Sequence, residues 1–158
     1  MPIYLFILSF LFFGTPVFAT DLPIRGMAKG ESRIKVGDKA PLVIPDLEKA
    51  HAEGKAIILM MGYPTHCPWC DKMDRYIRPL MSDTDNFAGK AVFIMVQTGH
   101  TKMILPPEEG VKLKEAYGIE GQPWLFIIDK TGTVRYIHKV FVSTESLKKE
   151  VEEVLEKY

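Results

Sequence analysis

The segment Thr65-His66-Cys67-Pro68-Trp69-Cys70-Asp71-Lys72-Met73 carries both cysteines of the chain, spaced Cys-x-x-Cys. Such a pair supports four chemistries: half of a zinc site, a haem attachment point, a structural disulfide, or a centre that exchanges disulfides. Haem attachment requires a histidine directly after the second cysteine, and Asp71 stands there. A structural zinc site needs four ligands. With no second cysteine pair it would draw on His51, His66, His100 or His138, which form no H-x3–5-H pair. A disulfide closing so short a loop restricts the unfolded chain little and is a poor stabiliser. The exchange reading depends on what holds the sulfurs.

The neighbouring sequence supplies those elements. Residues 56–61, Ala-Ile-Ile-Leu-Met-Met, are a continuous apolar run that suits a strand buried on both faces. Residues 62–66 read as loop. Pro68 fits a first helical position, making Cys67 the N-cap, and Trp69, Met73, Tyr76 and Leu80 follow at helical spacing as a buried stripe. Arg78-Pro79 predicts the end of that helix or a kink in it. A sulfur at Cys67 would then face unpaired backbone N–H groups and the positive end of a helix dipole, which favour the thiolate, the nucleophilic form. Cys70, one turn on and on the same side, is within reach of that sulfur. His66 can support the thiolate when protonated, or stand as an exposed loop histidine. Asp71 and Asp74 act in the opposite sense, since nearby carboxylates disfavour a second negative charge.

Around this centre the pattern alternates. Residues 20–45 are polar, with Gly and Pro spaced through them, and form a lead-in with at most one short strand; residues 46–53, stopped by Gly54, read as a short helix. Strands are predicted at 91–96, 124–128 and 134–140, the last two joined by the turn Asp129-Lys130-Thr131-Gly132. Helices are predicted at 108–117, closed by Gly118, and after a Ser143 or Thr144 cap, where Leu147, Val151, Val154, Leu155 and Tyr158 share a face. From Ala56 onward the order is β-α-β-α-β-β-α. It predicts an α/β domain over residues 46–158 with a central mixed sheet, helices on both faces, parallel crossovers where helices intervene and one antiparallel hairpin.

With these elements placed, residues 56–158 resemble the thioredoxin superfamily. The resemblance rests on Cys67-Pro68-Trp69-Cys70 at a strand-to-helix junction and on Tyr117-Gly118-Ile119-Glu120-Gly121-Gln122-Pro123-Trp124-Leu125 before the third strand. It implies a thioredoxin-like fold with a short N-terminal extension, a cis Pro123 opposite the cysteine pair, and a Gln122 backbone that pairs with an extended substrate segment. It also implies thiol:disulfide exchange, with Cys67 as nucleophile and Cys70 resolving. Gln122, Pro123, Trp69 and His66 would contact substrate, and Trp69, Tyr63 and Trp124 would rim the site. The departures are Pro68-Trp69 between the cysteines, Met61 where the family carries a buried acid, the late Pro79, and a longer connection at 99–107.

Composition narrows the setting. Lys+Arg and Asp+Glu number 20 each, so the chain lacks the basic excess of a nucleic-acid binder. Its 158 residues allow one domain. Residues 1–19 have the apolar run and small-residue end (Val17-Phe18-Ala19) of a cleavable signal peptide, with no Lys or Arg at the start; an uncleaved membrane tether is the other reading. Both place the folded part in an oxidising, periplasmic or otherwise exported compartment. The expectation is therefore a monomeric, exported thiol:disulfide oxidoreductase that serves as a reductant of protein disulfides. It would draw electrons from a membrane donor and need no metal and no cofactor beyond the Cys67–Cys70 disulfide. The alternatives are a disulfide oxidant or isomerase, and a binding or chaperone module whose disulfide is structural.

Overall fold

The computed structural model describes residues 27–63, 67–98 and 107–158. The expected signal peptide, His66 and His100 lie outside the described residues. The helix α1 (Pro45–Ala52) leads into β1 (Ala56–Met61), α2 (Pro68–Met81), the short α3 (Thr84–Phe87) and β2 (Ala91–Val96). The chain continues through α4 (Glu108–Tyr117), β3 (Trp124–Ile128), β4 (Val134–Lys139) and α5 (Thr144–Lys157).

The four strands form one mixed sheet in the order β2-β1-β3-β4. Every residue of β1 is buried, because helices cover both faces of this central strand. Ile57, Leu59 and Met61 point into a core with Leu47, Leu113 and Tyr117 from α1 and α4. Ile58 and Met60 point the other way, onto Met73, Ile77, Leu147 and Val151 from α2 and α5.

Three expectations need correction. The strand β3, although it follows a helix, pairs antiparallel with β1, Met61 lying opposite Trp124. The strand β2 ends beside Met61 and β3 begins there. The connection through α4 therefore starts and finishes at one end of the sheet, and no parallel crossover results. The helix α2 runs on through Pro79 to Met81. Pro79 stands in the last turn, where the hydrogen bond it deletes costs the helix little, and Ser82 Oγ donates to the Arg78 carbonyl at 3.1 Å to close the end. The stripe buried on α2 is Cys70, Met73, Asp74, Ile77 and Leu80, with Trp69 and Tyr76 half-buried at its flank. The described part of the lead-in, from Met27, is irregular as expected and contributes isolated bridges: Met27 to Gln122, Lys29 to Glu120 and Lys39 to Thr133.

Candidate redox site

The site sits at the C-terminal end of β1, where the chain leaves the sheet and re-enters as α2. Cys67 is the N-cap of α2, in extended backbone conformation, and its Sγ accepts the Cys70 N–H at 3.1 Å. The Cys67 carbonyl accepts the Asp71 N–H at 2.9 Å. A sulfur here takes the place that a serine or aspartate oxygen fills at an ordinary cap, so the free helix amides are directed at it. Cys67 and Cys70 are joined in a disulfide, with Cα atoms 5.1 Å apart. Cys70 is fully buried, whereas Cys67 keeps 9% of its surface open. That asymmetry gives the two sulfurs different access to a partner.

Below the pair, Gly62 leaves the space that Cys70 occupies. A Cβ at Gly62 would stand 3.1 Å from Cys70 Sγ and 3.4 Å from Met60 Cε. Across the sheet, β3 begins at Trp124, opposite Met61, so Pro123 enters that strand at the same end of the sheet as the cysteines. The Gln122–Pro123 bond is cis, and the Pro123 carbonyl accepts the Val140 N–H at 3.1 Å. Strand end, helix start and the loop before Trp124 thus lie at the same end of the sheet.

The carboxylates near the pair are each matched one turn on. Asp71 Oδ2 lies 2.8 Å from Arg75 Nη2 at the surface. Asp74 is buried, and its Oδ2 accepts Arg78 Nε at 2.6 Å while Oδ1 has no partner among the described residues. Met61, at the position of the family's buried acid, points into the opposite core from the cysteines.

The rim differs from the one expected. Trp124 is not part of it. Its ring is 1% exposed, stacks on Phe126 at 6.1 Å, and its Nε1–H donates to the Glu120 carbonyl at 3.0 Å. The hydrogen bond lets the indole bury completely. Trp69 and Tyr63 are half-buried. A residue the sequence reading passed over, Phe141, completes the edge: 40% exposed, it meets Tyr76 edge-on at 5.0 Å and lies 4.4 Å from Lys72 Nζ, which also caps the Trp69 ring at 5.3 Å. Phe141 reaches this place through a tight turn. Its N–H returns to the Lys139 carbonyl at 2.7 Å, with Val140 held at φ 68°, a costly conformation for a β-branched residue. The signal was an apolar residue left in a loop after the last strand.

At Gln122 the chain's own lead-in is close by: a bridge joins it to Met27, and its carbonyl accepts the Ala28 N–H at 2.9 Å. The polar lead-in has unpaired amides of its own, and this edge satisfies them. No group of three or more His, Cys, Asp or Glu side chains is arranged to hold a metal ion among the described residues.

The model of the thioredoxin-like domain family matches residues 45–155. This chain belongs to that family. Among solved structures the thioredoxin-like chain is similar to a candidate thiol:disulfide interchange protein, DsbE, from Chlorobium tepidum, at 20% identity and a TM-score of 0.60, over 77% of this chain and 99% of that one. It is similar to a thiol:disulfide interchange protein from a Bacteroides species at 18% identity and a TM-score of 0.56, over 78% of this chain and 91% of that one. A third likeness is to the exposed lipoprotein thioredoxin of Streptococcus pneumoniae, at 18% identity and a TM-score of 0.51, over 64% of this chain and 86% of that one. At these identities the shared feature is the fold. No curated protein sequence matches the chain. The matched span includes the Cys67–Cys70 pair at the junction of β1 and α2.

Proposed function

We propose that this chain is an exported thiol:disulfide oxidoreductase that reduces disulfides in protein substrates. The observation that carries the reading is the unequal setting of the two sulfurs: Cys67 at the helix N-terminus and open at its edge, Cys70 sealed one turn inside. In the reduced protein the helix amides favour the Cys67 thiolate. That thiolate attacks one sulfur of a substrate disulfide; a mixed disulfide forms and the other substrate sulfur leaves as a thiolate. The Cys70 thiol then loses its proton and its sulfur attacks Cys67, restoring the Cys67–Cys70 disulfide and releasing the second substrate thiol. Two electrons and two protons have passed to the substrate. A membrane dithiol donor resets the pair by the reverse exchange, and no bound cofactor is required.

Three neighbours support the reading: two interchange proteins and a surface-exposed thioredoxin with the same fold. Export rests on the signal-peptide pattern of residues 1–19. Among the described residues no helix is long and apolar enough to cross a membrane. Substrate contact falls to Gln122, Pro123, Trp69, Lys72 and Phe141, with His66 as a further loop contact.

The test is a pair of variants assayed on a model protein disulfide. Cys70→Ser is expected to accumulate a mixed disulfide through Cys67, and Cys67→Ser to form none and lose turnover. Turnover at the wild-type rate by Cys67→Ser would refute the proposal. The direction is read from the potential of the pair against glutathione: a thioredoxin-like value, about −270 mV, supports a reductant, and one near −120 mV a disulfide donor.

A further inference from the structure

Among the described residues the sheet stops at β2 with nothing on its outer edge. The Ala56 N–H donates to the Lys90 carbonyl at 2.9 Å and the Gly62 N–H to the Val96 carbonyl at 3.0 Å. In a parallel ladder the N–H and C=O of one residue point the same way, and successive residues alternate. Residues 90, 92, 94 and 96 therefore face β1, and Ala91, Phe93 and Met95 present their backbone groups outward. Natural proteins blunt such an edge with a charge, a proline or a bulge. The sequence Ala-Val-Phe-Ile-Met-Val has none of these, and its register against β1 is unbroken.

Both flanks of the edge are open. On one side Met95, 39% exposed, and Met81 at the end of α2, 48% exposed, line a shallow apolar cleft with Phe93. On the other side a groove of about 380 Å³ separates β2 from α1 and carries Asp46, Lys49, Glu53 and Lys55.

We propose that β2 pairs antiparallel with β2 of a second copy of this chain, about a two-fold axis at Phe93. The two four-stranded sheets become one continuous sheet. Phe93 exchanges both backbone bonds with Phe93 of the second copy, and Ala91 stands opposite Met95, a small residue against a long one. Several observations favour a like copy as occupant. The groove bears two acids and two bases, and the whole chain has zero formal net charge, so identical copies do not repel. The edge strand itself carries no charge, and the outward residues are apolar. The described part of the lead-in, from Met27, is committed to the opposite side of the sheet, through Gln122, Glu120 and Thr133. Antiparallel pairing sends the two cysteine centres to opposite ends of the joined sheet, where each stays open. A dimer replaces the monomer expected from the sequence, and it rests on the edge geometry, independently of the redox reading.

Sedimentation of the full-length protein from micromolar to millimolar concentration tests this, together with hydrogen exchange at Ala91, Phe93 and Met95. A mass that doubles with concentration is expected, with those three amides protected only in the doubled form. Met95→Lys, and independently Met81→Lys on the neighbouring helix, should weaken the dimer at least tenfold. Disulfide exchange per subunit should stay unchanged, and circular dichroism should show either variant folded. A single-subunit mass throughout would overturn the proposal. So would a dimer indifferent to both lysines, or full protection of the three amides in the monomer, which would mean that the chain covers its own edge.

Discussion

Gly62→Ala tests whether the disulfide is held by close packing from β1. The added Cβ would lie 3.1 Å from Cys70 Sγ, 3.3 Å from Cys70 Cβ and 3.4 Å from Met60 Cε. Ordinary contact between such atoms begins at about 3.4–4.0 Å, so Cys70 must give by a few tenths of an ångström. Cys70 and Met60 are buried, and Cys70 is tied by its own N–H to Cys67 Sγ. Overpacking of this kind costs about 1–3 kcal/mol. Losing a glycine from the unfolded chain returns about 0.4–1 kcal/mol. A net loss of roughly 1–2 kcal/mol follows. With a urea slope of about 1–3 kcal/mol/M, the unfolding midpoint should fall by roughly 0.5–1.5 M. The measurement is made on reduced protein, in the wild-type and Cys70→Ala backgrounds. Removing the sulfur removes the shortest contact, so the cost in the second background should drop by about 1 kcal/mol, a coupling typical of touching residues. In the oxidised protein Cys70 is tethered and can yield less. Each 1.4 kcal/mol carried by that form alone makes the couple about 30 mV more oxidising. Equal cost in both backgrounds, or none in either, would refute the packing account.

Three further outcomes follow from named contacts. Asp129 is buried; burial would raise its carboxyl, but hydrogen bonds from Thr131, Thr133 and Arg135 outweigh that and hold it below its ordinary value. The stability it contributes is present above about pH 4 and is lost as pH falls through the lower folded value, so Asp129→Asn should cost about 3 kcal/mol at pH 7 and progressively less as pH falls below about 4, by thermal unfolding. Truncating a rim aromatic costs about 1–2 kcal/mol of binding, so Phe141→Ala should raise KM for protein disulfides roughly 5–30-fold and leave a small-molecule disulfide unaffected; equal losses on both would remove the rim from the site. Asp74 is a buried carboxylate one turn past Cys70, so Asp74→Asn should lengthen the life of the mixed disulfide at least about tenfold without slowing its formation, followed by rapid quench; an unchanged lifetime would assign that proton to solvent.

Apolar runs and helix punctuation made most elements readable. The bounds of β1, α4 and β3 follow from unbroken apolar stretches and from Gly118, and Pro68 after Cys67 announces the cap. Contacts decided by tertiary placement leave no such mark. The direction of β3 depends on which end of the sheet α4 returns to. The burial of Trp124 depends on a carbonyl at Glu120 that reaches its ring N–H. The lead-in, with no hydrophobic period, gives no sign that Ala28 will occupy the Gln122 carbonyl. The same division runs through the site. Both sulfur positions were legible because a helix cap and a residue one turn on are local patterns. Around them, the cis Pro123 was readable only through the family resemblance, and the close packing of Gly62 and the arrival of Phe141 were not readable, because they depend on how separate segments come together. The chemistry of the pair is therefore inherited from the strand-to-helix junction, whereas its selectivity must come from those non-local neighbours. Within the family, chains with the same Cys-Pro-Trp-Cys and a different residue at the Phe141 position should share the exchange reaction and differ in the proteins they serve.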